Sequence, residues 1–186
     1  MKNTIQDKAK LVNSVFSEVY NKYDLMNDVL SLGIHRIWKD KFIDWMNPSR
    51  DSSLIDVAAG TGDIAKLFSL RNKNFPKVTC VEPNEKMFTK GKNNLVNFKN
   101  IEWIKSKAET LPVEDNLYDF YSISYGIRNV SDINKVLKEA YRVLKPGGRF
   151  MCLEFSKIDN EALNFLYKQY SKTIPLIGKY IAGNSQ

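Results

Sequence analysis

One histidine and two cysteines are all that 186 residues supply of the side chains that most often hold transition metals. They make no cluster at metal-ligand spacing, so no metal centre is expected. The cysteines, Cys80 and Cys152, each sit in an apolar, strand-like run and are predicted to be buried free thiols in a reducing cytoplasm. No apolar run approaches the ~20 residues of a membrane span. The start, Met1 to Asp7, has no signal-peptide core. Internal repeats and low-complexity linkers are absent too. What remains is 43% hydrophobic and 26% charged, the balance of a soluble globular protein at the length of one domain with a sizeable core.

Acidic residues are scarce in one stretch only. Residues 66–107 carry 10 basic and 3 acidic side chains, whereas 1–65 carry 8 and 9, and 108–186 carry 10 and 9. The net charge of +7 therefore resides in 66–107, on lysines such as Lys86, Lys90 and Lys92. A solvated helix face accounts for such a pattern; an anionic membrane is the competing account. Nucleic acid is not the expected partner of these lysines.

Along the chain, Leu11, Val12, Val15, Phe16 and Val19 recur at helical spacing, and a second helix is predicted over 36–46. From residue 53 strands and helices alternate: 53–57, 64–70, 77–82, 85–95, 101–105, 119–124, 133–144 and 150–154. Alternation of this kind predicts an α/β fold with a doubly wound, mostly parallel sheet. The helix over 132–144 places Ile133, Val136, Leu137, Ala140 and Leu144 on its buried stripe, and Pro146-Gly-Gly148 ends it.

The densest chemistry lies in Leu54-Ile-Asp-Val-Ala-Ala-Gly-Thr-Gly-Asp63, a strand, a glycine turn and a helix start. Glycine admits a sharp turn and close ligand approach, and the helix start offers unpaired N–H groups. Gly60-Thr-Gly62 with Ala65 fits the dinucleotide fingerprint G-x-G-x-x-A. Asp56-x-Ala58-x-Gly60-x-Gly62 equally resembles the acid-x-G-x-G-x-G loop of S-adenosylmethionine methyltransferases. Asp63 weighs against a pyrophosphate, which it would repel, and tolerates a sulfonium ligand with an amino group. The other strands should deliver Glu82 with Asn84 as a helix N-cap, Ser106 to Glu109, Ser124 to Asn129, and Glu154 to Ser156 to the same sheet edge. Glu82 can accept both ribose hydroxyls of an adenosine, in either cofactor; an ordinary exposed strand-end acid is the other reading.

Taken in order, Tyr23-Asp-Leu-Met-Asn27, Ser31-Leu-Gly-Ile-His-Arg-Ile-Trp38, Ala59-Gly-Thr-Gly-Asp63, Ala108-Glu-Thr-Leu-Pro112, Gly126-Ile-Arg-Asn-Val130, Arg142-Val-Leu-Lys-Pro-Gly-Gly-Arg149 and Leu153-Glu-Phe-Ser156 resemble the ubiquinone/menaquinone biosynthesis C-methyltransferases. The resemblance covers about residues 12–184. It implies a Rossmann-like class I methyltransferase that moves a methyl group from S-adenosyl-L-methionine to a ring carbon of a prenylated quinol. By similarity Thr61, Glu82, Lys107, Ala108 and Ser124 fall on cofactor-contacting positions, beside Asp56, Gly60, Gly62 and Asp63 of the glycine loop. Ala59 replaces a usual glycine, Glu82 a usual aspartate and Lys107 a usual asparagine. The family pattern continues past Ala182-Gly183 with a further helix and an antiparallel hairpin, so an open sheet edge is expected here.

Methyl transfer to a phenolic ring needs the ring held near the methyl group and its proton taken or its phenolate stabilised. His35 is one candidate base, with an ordinary pKa of about 6.5, in a loop before the second helix; a structural role is the other reading. Tyr23, Asp24 and Asn27 lie on a turn that either faces the pocket or only shapes the chain. Arg128, just past the fourth strand, suits a phenolate stabiliser, and Tyr125 either borders the ring or belongs to the core. The apolar segment 161–182 suits a lid over a prenyl chain, a membrane-surface helix or a core cover. The expected organisation is a single domain: a helical cap over 1–50, a cofactor-binding core over 51–157 and a lid over 158–186. Expected partners are a prenylated quinol, the inner membrane surface, and a quinone-biosynthesis complex or a homodimer. An NAD-dependent oxidoreductase and a methyltransferase of RNA or another small molecule are the rivals. No hydride-transfer set such as Tyr-x-x-x-Lys supports the first, and no Asn-Pro-Pro-Tyr segment the second.

Overall fold

A computed structural model describes residues 31, 33–71, 74 and 76–155. The predicted first helix, the Tyr23–Asp28 turn with Tyr23 itself, and the apolar segment 158–186 lie outside the described residues.

The described chain runs α1 (Ile34–Met46), β1 (Leu54–Val57), α2 (Asp63–Arg71), β2 (Val78–Val81), α3 (Glu85–Asn94), β3 (Ile101–Ile104), β4 (Tyr118–Ser124), a 3₁₀ turn (Ile127–Asn129), α4 (Ile133–Val143) and β5 (Leu144–Leu153). The strands form one sheet in the order β3-β2-β1-β4-β5, with all four pairings parallel. β1 and β2 are buried at every residue, as strands covered on both faces must be. On one face Leu54, Val78 and Phe120 meet Phe42, Ile43 and Met46 of α1 and Ile64, Ala65 and Phe68 of α2. On the other, Ile55, Val57, Tyr121 and Ile123 meet Val136, Ala140 and Val143 of α4. Successive strand residues thus feed opposite layers. The chain winds one way from β1 to β3 and the other way to β5, so the crevice of the sheet opens between β1 and β4.

Local signals set the element ends. Asn84 caps α3, its Oδ1 accepting from the amides of Lys86 and Met87. Asn47 ends α1 in a left-handed conformation, φ 44°, its amide donating to the Ile43 and Asp44 carbonyls. Leu144 pairs with Tyr118, but Arg149 pairs with Phe120, so Lys145 to Gly148 bulge out of the ladder.

Three sequence expectations change. Ile133 and Leu137 of α4 are exposed, and the buried stripe is Val136, Ala140 and Val143. The helix is rotated so that its apolar face is only partly covered. Cys152 is exposed whereas Cys80 is buried. Met151 and Leu153 of β5 pack toward the α1–α2 layer, leaving Phe150 and Cys152 on the opposite face of the sheet, where Phe150 stacks on Tyr121. Finally, α1 begins at Ile34, so His35 sits in its first turn rather than in a loop.

Candidate active site

The site is built where β1 ends. Ala58 already turns left-handed, at φ 56°, and Gly60 and Gly62 follow at φ 59° and 88° before α2 begins at Asp63. A Cβ on Gly62 would lie 2.5 Å from Cδ1 of Leu95, and one on Gly91 of α3 only 2.2 Å from the Trp103 ring and 2.9 Å from the Gly60 carbonyl oxygen. These glycines let the loop seat against α3 and β3 without displacing either.

Beneath the loop Asp56 is 1% exposed. The Ser122 hydroxyl donates to its Oδ1 at 2.7 Å, while Oδ2 has no hydrogen-bond partner among the described residues. Burial pushes the carboxyl up to about 7. The Ser122 hydroxyl and the Lys39 charge oppose this, and Asp63 and Glu82 add to it. Ser124 Oγ, at the end of β4, is likewise buried without a partner among the described residues. Both residues line one cleft with Lys39, Ala58, Ala59, Gly60, Thr61, Asp63, Ile64 and Tyr125. Unpaired buried oxygens are costly, and here they face a space that a polar ligand can enter.

Glu82 is 7% exposed rather than open to solvent. Its Oε2 accepts from the Gly60 amide and its Oε1 from the Asn84 amide, both at 2.9 Å. Burial raises its pKa and these two amides lower it, the burial prevailing. The longer side chain thus ties the glycine loop to β2, and each oxygen keeps a lone pair for a further donor. Lys107, exposed, and Ala108, buried, follow β3 outside the cleft. Gly62 contributes packing rather than cleft wall.

Of the candidates for proton chemistry, His35 is 6% exposed and its Nδ1 lies 2.7 Å from the Ser31 hydroxyl; it does not line the cleft. Arg128, in the 3₁₀ turn, pairs with Glu154 at the end of β5, and its guanidinium lies 6.0 Å from the Tyr125 ring centroid and 5.3 Å from that of Phe155. Asp132, the other carboxylate within reach in sequence, instead caps α4 through the Lys135 amide. Tyr23 lies outside the described residues. Sequence reasoning missed Lys39. Its signal was a cation on the buried register of α1, which runs His35, Lys39, Phe42, Ile43, Met46. Its Nζ lies 2.6 Å from Asp63 Oδ2.

A glycine loop at the carboxyl end of the central strand, a buried acid under it and a second acid closing the neighbouring strand define a Rossmann-like domain of the class I methyltransferase kind. Solved structures agree: a SAM-dependent methyltransferase of Thermotoga maritima matches at TM-score 0.61 and 26% identity over 87% of this chain and 70% of its own. One from Aquifex aeolicus shares the fold at TM-score 0.54 and 20% identity, over 66% and 73%.

Within that class the chain belongs to the ubiE/COQ5 methyltransferase family, whose model matches residues 2–186. It is 49% identical to the ubiquinone/menaquinone biosynthesis C-methyltransferase UbiE of Rickettsia bellii, over 97% of this chain and 75% of that one. It is 42% identical to the mitochondrial 2-methoxy-6-polyprenyl-1,4-benzoquinol methylase of Dictyostelium discoideum, over 96% and 67%.

Proposed function

We propose that this methyltransferase moves the methyl group of S-adenosyl-L-methionine onto a ring carbon of a prenylated quinol in ubiquinone or menaquinone biosynthesis. The carrying observation is the cleft between β1 and β4, where Asp56 Oδ2 and Ser124 Oγ are buried beside the glycine loop without hydrogen-bond partners among the described residues. Those groups suit an amino-acid tail, and Glu82, next along the sheet, suits the ribose.

Bound there, S-adenosyl-L-methionine supplies an electrophilic methyl group on a positively charged sulfur. The chain does the rest. The glycine loop and Glu82 hold the adenosine end, and Asp56 accepts from the amino group. The cleft excludes water from the reacting centre. Methyl transfer to a ring carbon would require that carbon's hydrogen to leave as a proton, which water at the open side of the cleft would accept. Arg128 would hold the phenolate oxygen that makes the ring carbon nucleophilic, a contribution on the scale of one preorganised donor, about 100-fold. The prenyl tail lies at the cytoplasmic surface of the inner membrane, which the lysines of 66–107 suit electrostatically.

Calorimetry with S-adenosylhomocysteine and with NAD, alongside transfer of labelled methyl to a short-tailed quinol, tests this reading. Binding of the first ligand and label on ring carbon are expected. NAD binding without S-adenosylhomocysteine binding overturns it.

A further inference from the structure

The geometry points to Lys39 as the residue that recognises the α-carboxylate of the cofactor's amino-acid tail. This rests on the reading of the cleft as an S-adenosyl-L-methionine site.

Lys39 comes from a helix outside the alternating α/β core, yet its side chain is only 10% exposed. A charged group held that far from water needs a partner, since burying an unpaired charge is costly. Asp63 is one, but Asp63 is 44% exposed and the pair stands at the wall of the cleft rather than inside the core. The same cleft is lined by Asp56 and Ser124, whose Oδ2 and Oγ are buried without a hydrogen-bond partner among the described residues. The wall therefore carries one cation and two acids. A zwitterionic amino-acid tail is the matching ligand: its ammonium meets the acids and its carboxylate meets the lysine. In the free protein Asp63 stands in for that carboxylate on Lys39. On binding, the pair opens into an alternating row of charges, each with an opposite neighbour.

The experiment compares two probes, S-adenosylhomocysteine and its decarboxylated form, which keeps the amine and loses the carboxylate. Their affinities are measured by calorimetry on the wild type, on Lys39→Met and on Asp63→Asn, with melts of all three. The wild type should prefer the intact probe by at least about tenfold. Lys39→Met should abolish that preference while binding the decarboxylated probe as the wild type does. Asp63→Asn, which breaks the same ion pair but keeps the cation, should retain the preference. If Lys39→Met lowers the melting temperature but keeps the preference, Lys39 only anchors α1 and the proposal fails. If the wild type binds neither probe, the reading of the cleft itself fails.

Discussion

Asp56 sets the pH behaviour of the site. Its folded pKa of about 7 lies above the ordinary 3.8, so folding takes up a proton between those values. The stability this provides is complete below pH about 4, falls as pH rises, and is gone above about 7. Asp56→Asn cannot ionise. The variant should unfold in urea like the wild type near pH 4 and be more stable by a few kcal/mol, in order of magnitude, above pH about 7. A gap that does not change with pH would show that Asp56 keeps its charge in the fold. Cofactor binding near pH 6 should release a proton, because an ammonium against Asp56 favours its ionised form; calorimetry in buffers of different ionisation enthalpy reads that directly. Arg128 makes a different prediction. Arg128→Met should lower turnover about 100-fold, the scale of losing one preorganised donor, with little change in S-adenosylhomocysteine affinity. Because Arg128 also pairs with Glu154, a melt must accompany the assay: turnover lost only in step with unfolding assigns the arginine to structure.

At the scale of elements, α3 and β3 fix the glycine loop by contact rather than by hydrogen bonding alone. Gly91→Ala should push the Trp103 ring and the Gly60 carbonyl apart and cost about 1–3 kcal/mol, with cofactor affinity falling as the loop shifts. Unfolding curves and binding isotherms check both parts, and an unchanged pair of values would mean that α3 yields freely. The β5 register makes a second test: a thiol reagent should modify Cys152 in the native protein and Cys80 only after unfolding. Both thiols have raised pKa values, chiefly from burial, so the Cys152 reaction should quicken as pH rises. Much of this framework was readable in advance. Alternation of strand and helix gave the parallel sheet, Asn84 gave a helix start, and Asp56 to Asp63 gave the loop. The rest depends on tertiary position. Periodicity names an apolar stripe on α4 but not how far the helix rotates, so Ile133 and Leu137 were assigned inward. It names an acid at the end of β2 but not that Glu82 folds back onto the Gly60 amide. Lys39 was invisible as chemistry because its partners come from residues 17 and 24 positions further on, Asp56 and Asp63.

At the scale of the whole molecule, charge and fold divide the work. The excess of cations lies in 66–107, whereas β1 carries the buried acid Asp56. Vesicles rich in anionic lipid should retain the protein, and binding should weaken as salt rises past about 0.15 M, where charges are screened beyond about 8 Å. Retention that ignores salt would assign any adhesion to apolar contact instead. The central place of β1 has a temporal consequence too. Asp56 and Ser122, whose side chains meet beneath the loop, are 66 residues apart in the chain. At roughly 5–20 residues per second, a ribosome delivers the serine roughly 3–13 s after the aspartate. Until β4 is made the acid has no Ser122 partner, and it places an ionisable group inside the apolar run Leu54 to Val57, where a charge opposes edge-to-edge pairing. Pairing with β4 then brings the Ser122 hydroxyl onto the carboxyl, and burial raises its pKa, so the charge at the middle of β1 is exposed early in synthesis and held inside the sheet afterwards.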